Sequence, residues 1–253
     1  GIAETLNLEF RTPKFLKNNN EEYEYFKKID PDLVIVVAYG QIIPKEFLNL
    51  TKNGFINIHA SILPKWRGAA PIQRSIMNLD KEIGISIMKI AEQLDTGPVC
   101  NTYKIGLKNN LNANEVAEKL SSIAAEKILD NVDSILENSA KFTEQDHSKA
   151  TYAYKIKKEE GKVDWNNSAQ KIIGKVNGLY PVPGAFFIFK GERYKILKAE
   201  IGNERGNPGE VISDYLEIAC GNNQSIKIQR QGKKPQNIGE FILGSQIKKG
   251  LVL

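Results

Sequence analysis

Histidine and cysteine are almost missing from this sequence of 253 residues, with two of each. His59 and His147 stand far apart, and Cys100 and Cys220 sit in separate apolar segments, so no metal-ligand spacing is present. Buried free thiols are the expectation for the cysteines. No apolar run approaches the ~20 residues that a membrane-spanning helix needs. The first residues, GIAETLNLEF, also lack the basic-then-apolar layout of a signal peptide, so no membrane partner and a cytoplasmic protein are expected. The glycines never gather into a phosphate-cradling loop, and no serine or cysteine sits in a nucleophile motif. An enzyme with this composition is expected to transfer a group directly, without a metal or a covalent intermediate.

What is present is an ordinary globular composition, 41% hydrophobic and 26% charged, long enough to bury one large core or two modest ones. The net charge of +5 is unevenly spread. Residues 1–152 hold 18 Lys and Arg against 20 Asp and Glu, and residues 153–253 hold 17 against 10, a balance of −2 and +7. The second half is therefore a candidate polyanion-binding unit, with a solvated lysine-rich surface as the plainer alternative.

The β-branched run LVIVVA (33–38) reads as a strand buried on both faces, and FINIH (55–59), GISIMKI (84–90) and PVCNTYKI (98–105) read as further strands. Helical patterns lie at 19–29, 70–79 and 112–138, the last with Asn112 or Asn114 as N-cap. Strand and helix in alternation predict an α/β unit over 1–139. A polar connector follows over 140–153. From 154 to 253 one helix (168–179) precedes short strand-like runs, GAFFIFKG, ERYKILKAEI, PGEVISD, YLEIACG and QSIKIQR, which predict a small antiparallel barrel.

Three polar residues of the first unit invite chemistry. Asn57 and His59 are two apart on one strand and so share a face, at the carboxyl end where α/β sheets bind ligands. Asp95 lies in the loop EQLDTGP. Histidine with a carboxylate is an acid–base pair, and an Asn amide can donate to a developing oxyanion. Together they suit acyl transfer through a tetrahedral intermediate. A structural histidine and a turn-forming aspartate are the competing readings. His147, in the polar connector, is expected to be solvated.

The stretch NIHASILPKWRGAAPIQRSI with the later LDTGPV resembles the signature of the folate-dependent formyltransferases. VVAYGQIIP, RGAAPIQ, KKEEGKVDW and the closing NIGEFILGSQIKKGLVL resemble the branch of that family acting on methionyl-tRNA. The resemblance implies a Rossmann-like catalytic domain with a mostly parallel sheet, then an OB-like barrel that holds tRNA. It implies catalytic Asn57, His59 and Asp95, and a folate site formed by Ser61, Ile62, Leu63 and Pro64 near the AYG loop at 38–40. The implied reaction moves formyl from 10-formyltetrahydrofolate to the α-amino group of methionyl-initiator tRNA, in a monomer. Trp66 and Arg67 are candidate contacts for the aminoacylated tRNA end or surface caps. Lys233 and Lys234 are candidate phosphate contacts.

The family's opening strand, its F-x-G-T-P-x-F turn and its basic loop have no counterpart here, so an incomplete copy is expected. LNLEFRTP is then the next short strand, and an unpaired edge in the first sheet should leave the chain poorly soluble or weakly active. Rival readings are relatives that formylate glycinamide ribonucleotide or a nucleotide sugar, a 10-formyltetrahydrofolate hydrolase, and a non-catalytic RNA-binding protein with an inert formyltransferase-like domain.

Overall fold

The computed structural model describes residues 1–108, 110–231 and 246–253, and Lys233 and Lys234 lie outside them. In chain order the elements of the first unit are α1 (Ile2–Thr5), α2 (Asn20–Ile29), β1 (Val34–Val37), α3 (Lys45–Leu48), β2 (Phe55–His59), α4 (Pro71–Met77), β3 (Glu82–Lys89), β4 (Val99–Gly106) and α5 (Ala113–Leu136). Those of the second are α6 (Ala169–Leu179), β5 (Phe186–Phe189), β6 (Glu192–Ile201), β7 (Glu217–Cys220) and β8 (Gln224–Gln231).

The helices begin where side chains can satisfy their first N–H groups. Asn19 accepts from Glu22 N ahead of α2, and Ser168 accepts from Lys171 N ahead of α6. Of the two candidate caps for α5, Asn112 is the one used. It accepts from Asn114 N and Glu115 N, while Glu115 accepts from its backbone in return. Val116, Leu120, Ala124, Ile128 and Ile135 then form one buried stripe down that helix, facing Ile83, Ile85 and Ile87 of β3.

The first sheet runs β1-β2-β3-β4 and is mixed. Parallel pairing is confined to β1 and β2, while β2–β3 and β3–β4 are antiparallel. The loop between β3 and β4 is shorter than the dozen or so residues that a parallel crossover takes. Central position buries β2 on both faces, with Ile56 fully covered.

Two expectations fail at the other edge. β1 is half-buried rather than buried on both faces, with Ile35 42% and Val37 58% exposed, because among the described strands only β2 pairs with it. LNLEFRTP forms no strand. Its N–H groups at Leu6, Asn7 and Leu8 instead close the turn of α1 on Ile2, Glu4 and Ala3 carbonyls, and Leu6, Leu8 and Phe10 stay exposed.

The second sheet, β5-β6-β8-β7, is antiparallel throughout and curls as an OB-like half-barrel around a core including Trp165, Ile172, Phe187, Ile196, Ile218 and Ile226. Phe187 stacks on Tyr194 with ring centroids 5.2 Å apart, and Trp165 leans on Phe187 at a tilt with centroids 5.9 Å apart. PGEVISD makes single bridges, Glu210 with Val252 and Val211 with Ile218, in place of the expected strand. A Ser213 hydroxyl that accepts from Tyr215 N and Glu217 N turns the chain there.

Helix α6 packs against α4, so the two sheets are joined helix to helix. The contact depends on glycine. A Cβ on Gly174 would stand 2.7 Å from Leu79 Cδ2, and one on Gly178 would stand 2.9 Å from the Gln73 carbonyl oxygen. Arg74 of α4 adds a two-point ion pair with Glu160, at 2.5 and 3.1 Å, and also donates to the Tyr154 carbonyl.

Candidate active site

β2 ends in His59 at the same end as its parallel neighbour β1, and Asn57 and His59 point to one face as the period of two requires. His59 is 6% exposed. Its Nε2 lies 2.9 Å from the Trp66 carbonyl oxygen. A carbonyl only accepts, so the network assigns the proton to Nε2 and leaves Nδ1 as the nitrogen free to gain or give one.

Nδ1 faces Asp95 Oδ2 at 3.7 Å. That gap is too long for a hydrogen bond and short enough for attraction once the ring is charged. The Asp95 carboxylate is fixed on its other side, where Oδ2 accepts from Gly68 N–H at 2.8 Å. The Asn57 carboxamide, half-buried, has no hydrogen-bond partner among the described residues. The structure thus brings the three sequence-predicted polar residues to one strand end and leaves one donor idle and one carboxylate partly idle.

The turn that follows is built as a scaffold. Ser86, directly opposite His59 on β3, accepts from Leu63 N and donates to the Ser61 carbonyl. Ser61 is itself fully buried and its hydroxyl donates to the Lys65 carbonyl at 2.6 Å. Leu63 is buried as well, while Ile62 and Pro64 keep part of their surface open. Of the four residues expected at a folate site, Ser61 and Leu63 therefore have their side chains committed to the protein.

Trp66 and Arg67 are also anchored. The Trp66 indole N–H donates to Asp80 Oδ2 at 2.7 Å. Arg67 is 2% exposed, with Nε and Nη2 both on Gln145 Oε1 at 3.1 and 2.7 Å and Nη2 also on His147 Nδ1 at 3.1 Å. The candidate role of Arg67 as an outward tRNA contact is corrected by that burial. His147, though exposed, is not merely solvated, since its ring nitrogen accepts from Arg67.

Sequence reasoning missed the residues that hold this arrangement in place. The connector 140–153 returns along the site loop: Arg67 N donates to the Thr151 carbonyl, Ala153 N to the Arg67 carbonyl and Ala70 N to the Ala153 carbonyl. Thr151 Oγ1 accepts from Trp66 N at 2.9 Å. Gln145, 7% exposed, donates to the carbonyls of Asp95 and Gly97. Only its polar composition marked the segment, and that pattern resembles a solvated linker.

Among the described residues no cluster of His, Cys, Asp and Glu could hold a metal ion, and no helix is long and apolar enough to cross a membrane. Both cysteines are free thiols; burial pushes Cys220 up to about 12, which keeps it protonated and unreactive.

Comparison with known proteins identifies the family. The family model described as "Formyl transferase" matches residues 4–132, and "Formyl transferase, C-terminal domain" matches residues 155–246. The methionyl-tRNA formyltransferase of Pelagibacter ubique (strain HTCC1062) is 68% identical over 252 residues, covering 98% of this chain and 81% of the relative. That of Thermodesulfovibrio yellowstonii is 40% identical over 254 residues, covering 99% and 82%. Among solved structures, the sugar 3N-formyl transferase WlaRD, crystallised with dTDP and 5-N-formyl-THF, superposes with a TM-score of 0.71 at 20% identity, over 91% of this chain and 80% of its own. HypX from Aquifex aeolicus, in complex with tetrahydrofolic acid, gives 0.67 at 20% identity, over 90% and 41%.

Proposed function

We propose that this chain, which belongs to the formyl transferase family and within it to the methionyl-tRNA formyltransferases, works through Asn57, His59 and Asp95. It transfers formyl from 10-formyltetrahydrofolate to the α-amino group of methionyl-initiator tRNA. The observation that carries the site assignment is the pairing of an unpartnered Asn57 amide with a His59 whose Nδ1 faces Asp95 across 3.7 Å.

When bound, 10-formyltetrahydrofolate supplies a formyl group on a nitrogen that can leave. The chain offers surface suited to a flat, partly apolar molecule at the same strand end: Val37 and Tyr39 follow from β1, Leu94 precedes Asp95, and all three are exposed. Ile62 and Pro64 also keep open surface, on the turn that follows β2. We assign folate contact to this rim and to the backbone of 61–64.

As the neutral amine adds, negative charge gathers on the formyl oxygen, and Asn57 donates its idle N–H there. His59 takes the amine proton at Nδ1, and the imidazolium so formed lies against the Asp95 carboxylate while Nε2–H stays tied to the Trp66 carbonyl. The proton then passes from Nδ1 to the departing folate nitrogen. Balance is complete: one carbon–nitrogen bond forms, one breaks, and one proton changes nitrogen.

Residues 1–139 form the catalytic domain in this reading, and 154–253 hold the tRNA, for which the +7 balance of the second half is the support. Both duties lie on one chain, and we assign a monomer acting in the cytoplasm, where translation initiates. Replacing Asn57 by Ala should lower kcat by roughly 10²–10³, the usual loss for one oxyanion donor, with KM for both substrates little changed. A rise in KM with kcat preserved would show instead that Asn57 serves binding.

A further inference from the structure

We propose that Gln145 is a positioning residue for the acid–base pair, gripping the Asp95 turn from the segment that joins the two sheets. The inference rests on the reading of His59 and Asp95 given above, and extends it to a residue fifty positions away.

Asp95 sits at φ 52°, in the left-handed region that costs a non-glycine residue energy and persists only where surroundings hold it. Gln145 supplies that hold. Its Nε2 donates to the carbonyl of Asp95 at 2.9 Å and to that of Gly97 at 2.7 Å, so one amide spans the turn from both sides. Its Oε1 accepts both Arg67 bonds, which uses the whole hydrogen-bonding capacity of the side chain. A closed circuit results. The Asp95 carboxylate takes Gly68 N–H, the Asp95 carbonyl takes Gln145, and Gln145 takes Arg67, the residue beside Gly68.

Arg67 explains why glutamine occupies the position. Among the described residues no carboxylate lies within ion-pair reach of this buried guanidinium, and its partners are neutral, Gln145 Oε1 and His147 Nδ1. Glutamate could meet Arg67 but would set a negative oxygen against two carbonyls. Glutamine alone of the two serves the cation and the turn together. Without it the Asp95 backbone can relax, and the carboxylate swings off its approach to His59 Nδ1.

The test compares Gln145→Glu, Gln145→Ala and Asp95→Asn in the full chain, with Asn131→Ala as a control. Asn131 is a buried amide bonded to Tyr103 and the Lys127 carbonyl, away from the site. Formyl transfer is measured at varied concentrations of each substrate, together with melting temperature and imidazole nitrogen NMR, which is simple in a chain with two histidines. Gln145→Glu, which keeps Arg67 paired, should lower kcat by about 10²-fold, the scale of a small misplacement, with KM within about threefold. The His59 Nδ1 resonance should move, and Asn131→Ala should leave kcat and that resonance unchanged.

A Gln145→Glu variant that turns over like the parent overturns the proposal, even if Gln145→Ala fails to fold. So does a loss that Asn131→Ala reproduces at an equal drop in melting temperature. If Asp95→Asn is fully active, the site reading falls with it. If Asp95→Asn is inactive while both Gln145 variants work, the positioning role alone falls.

Discussion

Asp95 and Glu217 are both carboxylates drawn largely out of water, one beside each sheet, and they are held in opposite ways. Glu217, 3% exposed on β7, has Oε1 accepting from Asn203 N, Glu204 N and Ser225 Oγ at 2.7, 2.8 and 2.7 Å. Asp95 has one donor, Gly68 N–H, and otherwise looks across a gap at His59. A carboxylate that gathers three donors on one oxygen has spent its charge on shaping a turn. One with a single donor, facing a titratable ring, can respond when a proton arrives.

The sharpest way to break this comparison is to neutralise each acid in turn. Asp95→Asn should lower kcat by about 10²–10⁴, the range for loss of an acid–base partner, and leave the melting temperature near that of the parent. Glu217→Ala should do the reverse. Losing it strands two backbone N–H groups and a hydroxyl, a cost of about 1–3 kcal/mol in chemical denaturation, with kcat of the folded protein unchanged. Equal effects of the two variants on turnover would erase the distinction.

Acid sharpens the same contrast more gently. Burial alone raises the affinity of Glu217 for a proton, but the bonds from Ser225, Glu204 and Asn203 and the charge of Lys227 outweigh it, and the group lies below its ordinary value. The unfolded chain therefore binds this proton more readily than the folded one. The stabilisation is complete above the ordinary carboxylate value of about 4.3 and is lost as pH falls toward the lowered one. Denaturation curves of Glu217→Gln should accordingly flatten over that acid range relative to the parent.

The smallest expected effect lies between the two units. The bond to Arg74 holds Glu160 below the ordinary carboxylate range, yet both side chains keep contact with water. Arg74→Ala should thus cost about 1 kcal/mol or less, read as a modest fall in melting temperature. A larger loss would mean that the pair, rather than the glycine contact of α4 and α6, joins the units.

Much of this was legible in the sequence for a physical reason. β2 matches FINIH residue for residue, because a central strand writes itself as a short apolar run. The shared face of Asn57 and His59 follows from the period of two. The Asn112 cap and the stripe of α5 follow from local hydrogen bonding and a period near four. What escaped was non-local. Gln145 meets Asp95 and Arg67 across 50 and 78 positions, and no spacing rule reaches that far. Arg67 was misplaced because an arginine in a loop normally faces water, and its burial is set by a glutamine the local pattern cannot reveal. LNLEFRTP carried a strand's composition, but a strand also requires a partner edge.

The contact of α4 with α6 has a further consequence. Helix α4 starts directly after the loop that carries Trp66, Arg67 and Gly68, and α6 lies on the core of the second sheet. With glycine at 174 and 178 the backbone of α6 closes directly on Leu79, Met77 and the carbonyls of Ile76 and Gln73, which leaves little room for the helices to shift. The span from the second sheet to His59 Nδ1 is then set like the jaw of a caliper. Under the proposed function, an acceptor arm resting on the second sheet would deliver its amine at a depth fixed by the protein, and recognition would become in part a measurement of length.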